Sequence, residues 1–232
     1  MTEIKNRFNF IQQAIHEAAK QSGRAPDSIR LLAVSKTWPA DKLRQMAVLG
    51  QACFGENYLQ EALEKIEALA DLELEWHFIG PIQSNKTRDI AAHFDWAQSI
   101  DRFKIARRLD QQRTDEQAPL NICIQVNIDN EDSKSGVNAD EVLSLAEQIV
   151  QLDKLQLRGL MVIPSRQTDE AAQRASFRRA HHLFQQLQHQ YPQVDTLSMG
   201  MTADLSAAIA EGSTMVRIGT ALFGQRDTSQ RQ

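Results

Sequence analysis

An α/β chain closing into one (β/α)8 TIM-type barrel is the fold this sequence predicts, and three observations predict it. Eight short apolar runs alternate with polar segments of helical periodicity from residue 31 onward. A length of 232 residues is long for most domains but suits a single α/β barrel. A doubly wound sheet, the runner-up, would use five or six strands and a G-x-G-x-x-G turn after the first, and no such turn follows here. No linker or low-complexity run interrupts the pattern, so residues 1–226 read as one domain and 227–232 as a flexible tail.

In chain order, Ile4, Phe8, Ile11 and Ile15 give a first helix its apolar face, closed by Ser22 and Gly23. The strand-like runs are 31–35, 52–55, 74–79, 96–100, 120–128, 157–163, 196–201 and 214–218. Between them Leu59, Leu63, Ile66 and Leu69 recur at helical spacing, as do Val142, Leu145, Ile149 and Leu152. Segments 90–94, 103–109 and 177–187 behave the same way. Pro39 is expected in the first turn of a helix, where its missing N–H costs nothing. Asp204 is expected to cap a short helix running through Ile209.

Composition removes several classes of function. A net charge of -4 offers no electrostatic grip on nucleic acid or anionic lipid. No apolar stretch is long enough to span a bilayer, and the polar start reads as no signal segment. Cys53 and Cys123, far apart and each inside an apolar run, read as small buried residues in a reducing compartment. A cytoplasmic protein is expected.

Barrels collect function at the carboxyl ends of their strands. Lys36 follows the first run, partly out of water, where desolvation would lower its pKa and make it an amine nucleophile. A strand-end lysine that snorkels to solvent is the alternative. Gly200, Met201 and Thr202 close the seventh run, Gly219 and Thr220 the eighth; such turns hold a phosphate on backbone N–H groups or serve as ordinary helix caps. Period two puts Met215, Arg217 and Gly219 on one face, pointing Arg217 into the barrel. Its acceptor is either a ligand or a carboxylate, which Glu56 or Glu75 would supply. A nucleophilic lysine, a phosphate cradle and an inward arginine together suggest pyridoxal 5′-phosphate (PLP), with a lysine-dependent aldolase as the competing chemistry. The aldolase would want acid/base carboxylates beside Lys36, and none is obvious.

The sequence resembles the pyridoxal phosphate homeostasis proteins over essentially its whole length. The matching segments are Leu-Leu-Ala-Val-Ser-Lys-Thr at 31–37, Phe-Gly-Glu-Asn-Tyr at 54–58, Trp-His-Phe-Ile-Gly at 76–80 and Gln-Ser-Asn-Lys at 83–86. They continue with Lys-Ser-Gly at 134–136, Arg-Gly-Leu-Met at 158–161, Leu-Ser-Met-Gly-Met-Thr at 197–202 and Thr-Met-Val-Arg-Ile-Gly-Thr-Ala-Leu-Phe-Gly at 214–224. The resemblance implies a monomeric barrel similar to the N-terminal domain of alanine racemases, a fold type III PLP protein. It implies PLP held as a Schiff base on Lys36, with Arg217 facing the ring nitrogen. Thr202, Gly219 and Thr220 would sit on the phosphate, with Asn57 and Ser198 nearby. Thr202 stands where the family often has serine, and the hydroxyl is kept.

The same resemblance implies what is not expected. The racemases carry a second, β-rich domain and a partner-supplied tyrosine, and this chain is expected to lack both. Racemisation needs a proton acceptor on one face and a donor on the other, and Lys36 serves only one. An arginine at the ring nitrogen leaves it unprotonated and weakens the electron sink. The reading is therefore a non-enzyme that buffers, stores or delivers PLP to apo-enzymes. A PLP-dependent racemase or related amino-acid enzyme is the alternative, and an RNA- or protein-binding barrel with an incidental lysine a third. Among weaker signals, Asn57 and Ser84 would serve equally as helix caps, and His77 reads as a satisfied core histidine. Lys86 reads as solvated, and Lys134 either as a solvated loop lysine or as a secondary amine for the aldehyde. His181, His182 and His189 show no zinc-ligand spacing.

Overall fold

Among the described residues, eight parallel strands close on themselves in chain order, the last pairing with the first. The computed structural model describes residues 2–131, 133–167 and 169–225, so the tail expected at 227–232 lies outside the described residues. The strands are β1 (Arg30–Val34), β2 (Cys53–Glu56), β3 (Glu75–Phe78), β4 (Trp96–Ile100), β5 (Leu120–Val126), β6 (Leu155–Val162), β7 (Thr196–Ser198) and β8 (Met215–Ile218). After α1 (Thr2–Gln21), the helices are α2 (Ala40–Val48), α3 (Leu59–Ala68), α4 (Thr87–His93), α5 (Phe103–Gln112), α6 (Val142–Ile149), α7 (Glu170–Gln190), α8 (Leu205–Ala210) and α9 (Thr220–Phe223). The expected (β/α)8 barrel is the observed one.

The two-residue period of each strand decides what lies on either side of the sheet. On β8, Val216 and Ile218 join the apolar layer between sheet and helices. Phe54, Trp76, Phe78, Ile122, Ile124, Leu160 and Leu197 belong to the same layer, closed from outside by residues such as Ile90, Ile105, Leu109 and Ile149. The alternate positions face the axis. There Trp96, Cys123 and Met161 form a small buried cluster of their own. His77, Gln98, Ser198 and Arg217 are buried beside it, so this barrel interior is polar where most are filled by branched apolar side chains. Ile4, Phe8, Ile11 and Ile15 are all buried as α1 packs against α8 and α9.

Several boundaries differ from the sequence expectation, each for a local reason. β2 runs on to Glu56, whose carboxylate finds partners and can stay in the sheet. β7 stops at Ser198 because Gly200 takes φ +96°, a left-handed conformation that ends the strand. β5 ends at Val126, and β6 starts two residues early at Leu155, with a register shift between Ile122 and Cys123. Pro39 sits one position before the helix, as N-cap of α2 with an extended ψ of 156°, and its carbonyl accepts the N–H of Lys42 at 3.0 Å. Asn57 and Ser84 do not cap: the N-caps of α3 and α4 are Tyr58 and Lys86. Asp204 is the N-cap of α8 by position, but its carboxylate accepts the Met201 N–H at 2.5 Å instead of one from the helix.

Gly159 leaves no room for a side chain between β6 and β7. Its φ is +152°, and a Cβ there would lie 1.8 Å from the carbonyl oxygen of Thr196, its partner on β7. Gly159→Ala must part β6 from β7, and the expected loss is at least about 3 kcal/mol of stability, measured by urea unfolding. An unchanged midpoint would show that this seam yields freely.

Candidate functional site

β1 delivers Lys36 to the C-terminal mouth of the barrel. Ser35 still pairs with the sheet, its N–H donating to Gly55 O at 3.0 Å, before the chain turns at Lys36 and Thr37. Lys36 is half-buried there. Its two neighbours are tied down by one buried ion cluster. Lys65, on α3 and only 4% exposed, donates to Ser35 O at 2.8 Å, Glu56 Oε1 at 2.7 Å and Glu61 Oε1 at 2.6 Å. Glu56 Oε1 also accepts from Ser35 Oγ at 2.5 Å, and Glu61 Oε1 from the N–H of Thr37. Burial pushes the Glu56 carboxyl up, and the Lys65 ammonium opposes it.

This clamp explains an unusual backbone. Thr37 holds φ +69°, a left-handed conformation that a β-branched residue keeps only when its surroundings over-determine it. Beyond it, Trp38 stacks on Phe223 of α9 with ring centroids 5.9 Å apart. The turn carrying Lys36 is thereby fixed to the segment that follows β8.

From β8, Arg217 enters the barrel as its period predicts, and among the described residues it pairs with no carboxylate there. Its Nη1 donates to Ser198 O at 2.7 Å and Ser198 Oγ at 2.8 Å, and its Nη2 to Val162 O at 2.9 Å. Glu56 cannot reach it because strand parity sends that side chain outward to Lys65, and Glu75 is spent on Arg30 and His77. The structural ion pair considered for Arg217 is therefore absent among the described residues. Burial pushes the guanidinium down to about 10, the Asp204 carboxylate opposes this, and the group stays cationic at neutral pH. Three hydrogen bonds use three of its five N–H groups, leaving two for an acceptor outside the chain.

The other expected residues arrive with different standing. Gly219 lies over the exit of β1, where a Cβ would sit 3.2 Å from Val34 O. Asn57 follows β2, and its Oδ1 is buried with no hydrogen-bond partner, as is Thr37 Oγ1 on the neighbouring turn. A buried acceptor left unpaired is rare enough to need a reason. Thr202 is exposed on the turn after β7 and Thr220 at the start of α9, and the Arg217 N–H to Gly200 O bond of 2.9 Å ties β8 to the turn after β7. Ser198 is fully buried, and its hydroxyl donates to Gln98 and accepts from Arg217, so it supports the arginine.

Two sequence readings are corrected or sharpened elsewhere. Lys134 is not a freely solvated loop lysine: it donates to Pro164 O at 2.6 Å and lies 3.2 Å from the Glu131 carboxylate, clipping the loop after β5 to the one after β6. His77 is a satisfied core histidine, between Glu75 and Gln98. Cys53, Glu75 and His77 place ligand-type atoms within 4.8 Å of one another, but the Arg30 guanidinium already lies 3.0 Å from the Cys53 sulfur and 2.6 Å from the Glu75 carboxylate. The Lys65 cluster is what sequence reasoning missed. Its trace was present: a lysine on the apolar stripe of Leu59, Ala62 and Leu69.

With the geometry in place, comparison with known proteins is informative. The family described as "Alanine racemase, N-terminal domain" matches residues 11–227. The chain is 54% identical to the pyridoxal phosphate homeostasis protein of Pasteurella multocida, over 98% of this chain and 99% of that one. It is 49% identical to the protein of the same name from Escherichia coli K12, over 100% of both. Among solved structures, PipY of Synechococcus elongatus is similar at 40% identity with a TM-score of 0.81, covering 90% of this chain and 100% of that one; a second structure of PipY has PLP bound and gives 0.78.

Lys65→Met leaves Glu56 buried and uncompensated, and the expected cost is about 3–5 kcal/mol in denaturant unfolding. Adding Glu56→Gln to that variant is expected to recover part of the loss. A single variant as stable as wild type would remove the cluster's structural role.

Proposed function

The chain belongs to the pyridoxal phosphate homeostasis proteins, and from that premise we propose that it holds PLP at the C-terminal mouth of its barrel, attached through Lys36. The observation that carries this reading is Arg217, a buried cation that makes no salt bridge among the described residues, with N–H groups to spare in the same mouth as a clamped lysine. The ligand supplies an aldehyde that condenses with an unprotonated primary amine and loses water, together with an aromatic ring nitrogen and a phosphate.

The chain's own residues fit those three parts. Lys36 Nζ is the amine, on a turn whose backbone the Lys65 cluster keeps from shifting. Arg217 donates an N–H to the ring nitrogen, and because a guanidinium does not give up its proton the nitrogen stays unprotonated. Thr202, Gly219 and Thr220 offer hydroxyls and close backbone approach to the phosphate. Asn57 brings an acceptor that lacks a partner among the described residues.

An unprotonated ring nitrogen is a poor sink for a carbanion, so this arrangement favours holding the cofactor over amino-acid chemistry. We read the protein as a cytoplasmic monomer that buffers, stores or delivers PLP to apo-enzymes, with residues 1–226 as one PLP-binding domain. Free thiols at Cys53 and Cys123 suit a reducing compartment. No described helix is long and apolar enough to cross a membrane.

Titration with PLP under a visible absorbance readout tests the assignment. Wild type is expected to develop a saturable visible band, Lys36→Ala none, and Arg217→Ala a band with at least tenfold weaker affinity, about 1.4 kcal/mol. A wild-type preparation that stays colourless would favour the RNA- or protein-binding alternative. Turnover of L-alanine or L-serine at ordinary enzyme rates, followed by chiral analysis, would overturn the carrier in favour of a racemase.

A further inference from the structure

A single chain of hydrogen bonds runs through the barrel interior from Arg217 to Arg30. Arg217 Nη1 donates to Ser198 Oγ at 2.8 Å, and Ser198 Oγ donates to Gln98 Oε1 at 2.7 Å. Gln98 Nε2 and His77 Nδ1 are 2.8 Å apart, and His77 Nε2 and Glu75 Oε1 are 2.6 Å apart. Arg30 Nη2 closes the chain on Glu75 Oε1 at 2.6 Å. His77, Gln98 and Ser198 are completely buried; Ser198 holds Arg217 directly, and neither His77 nor Gln98 has a part in the site proposed above.

The direction of every bond follows from one end. Glu75 lies between a guanidinium and an imidazole, ionised and able only to accept, so His77 Nε2 carries a hydrogen. Burial pushes His77 toward its neutral form, leaving Nδ1 as an acceptor. An acceptor there requires the amide nitrogen of Gln98, which turns Oε1 toward Ser198. The Ser198 hydroxyl must then donate to Oε1, and its lone pairs remain for Arg217. The opposite tautomer would set an unprotonated nitrogen against a carboxylate. An imidazolium would flip Gln98 and strand the buried Ser198 proton. Trp96 stacks on the His77 ring, with centroids 5.0 Å apart.

We propose that His77 and Gln98 are positioning residues for Arg217: the neutral, Nε2-protonated His77 sets the polarity of the chain and thereby fixes the guanidinium with its unused N–H groups toward the ligand. This rests on Arg217 meeting the ring nitrogen of PLP, as proposed above. It assigns a role in ligand recognition to side chains on β3 and β4 that sit beneath the mouth.

The test has one arm that needs no ligand. Nitrogen NMR of the ligand-free wild type between pH 6 and 8 is expected to show His77 as the Nε2–H tautomer. The Nδ1–H tautomer or an imidazolium would overturn the proposal, whether or not PLP binds. In the second arm, Gln98→Met and His77→Phe are expected to weaken PLP binding about tenfold and to shift the visible band. His77→Asn returns an acceptor near the Nδ1 position and is expected to stay within about threefold of wild type. Folded Gln98→Met with wild-type affinity and band position would also overturn it. A wild type that forms no band would instead sink the PLP assignment, and the NMR arm would still decide the direction of the bonds.

Discussion

A closed parallel sheet gives each strand residue two directions only, toward the axis or toward the helices, and this constraint shapes everything at the mouth of the barrel. It sends Glu56 outward, where Lys65 of α3 meets it, and Arg217 inward, where no carboxylate of the described residues pairs with it. Had Glu56 shared the parity of Arg217, the two would have neutralised each other and left nothing for a ligand. Parity therefore sorts the two buried charged groups into different tasks. One forms a structural ion cluster and the other keeps a cation available.

The outer cluster has its own consequence for the inner site. Removing one member of a buried ion group is costly because the remaining charges lose their compensation. Lys65 spends that cost on the backbone around Lys36, gripping Ser35 through its carbonyl and Thr37 through Glu61. A left-handed threonine is tolerable only under such a grip. The Trp38–Phe223 stack extends the restraint to the segment after β8, so that a lysine from the first strand and an arginine from the last are held in one frame. The half-buried position of Lys36 thus belongs to a rigid turn and not to a mobile loop.

Much of this was legible in the sequence because alternation and strand order are local patterns. The eight runs, the inward arginine and the strand-end lysine follow from spacing alone; together they already suggested PLP, and the resemblance to the family pointed to the same ligand. What spacing could not convey was pairing across elements. Nothing near Lys65 marks it as the partner of Glu56, since the two meet only after α3 folds back on β2. Likewise the support that Ser198 gives Arg217, with its hydroxyl donating to Gln98, could not be read from its place at the end of the seventh run. Lys134 was expected in solvent because its loop is polar, and it is clipped to Pro164 by a carbonyl that sequence polarity does not reveal. Strand ends shifted where a single glycine or an unforeseen partner decided them, as at Gly200 and Glu56.

The central claim is that one amine at this mouth, and no other, takes the aldehyde of the cofactor. Borohydride reduction of the PLP-loaded protein followed by peptide mass mapping tests it directly. The account predicts a single principal adduct on the peptide that contains Lys36. A principal adduct on Lys134 or another lysine, or none at all, would contradict it.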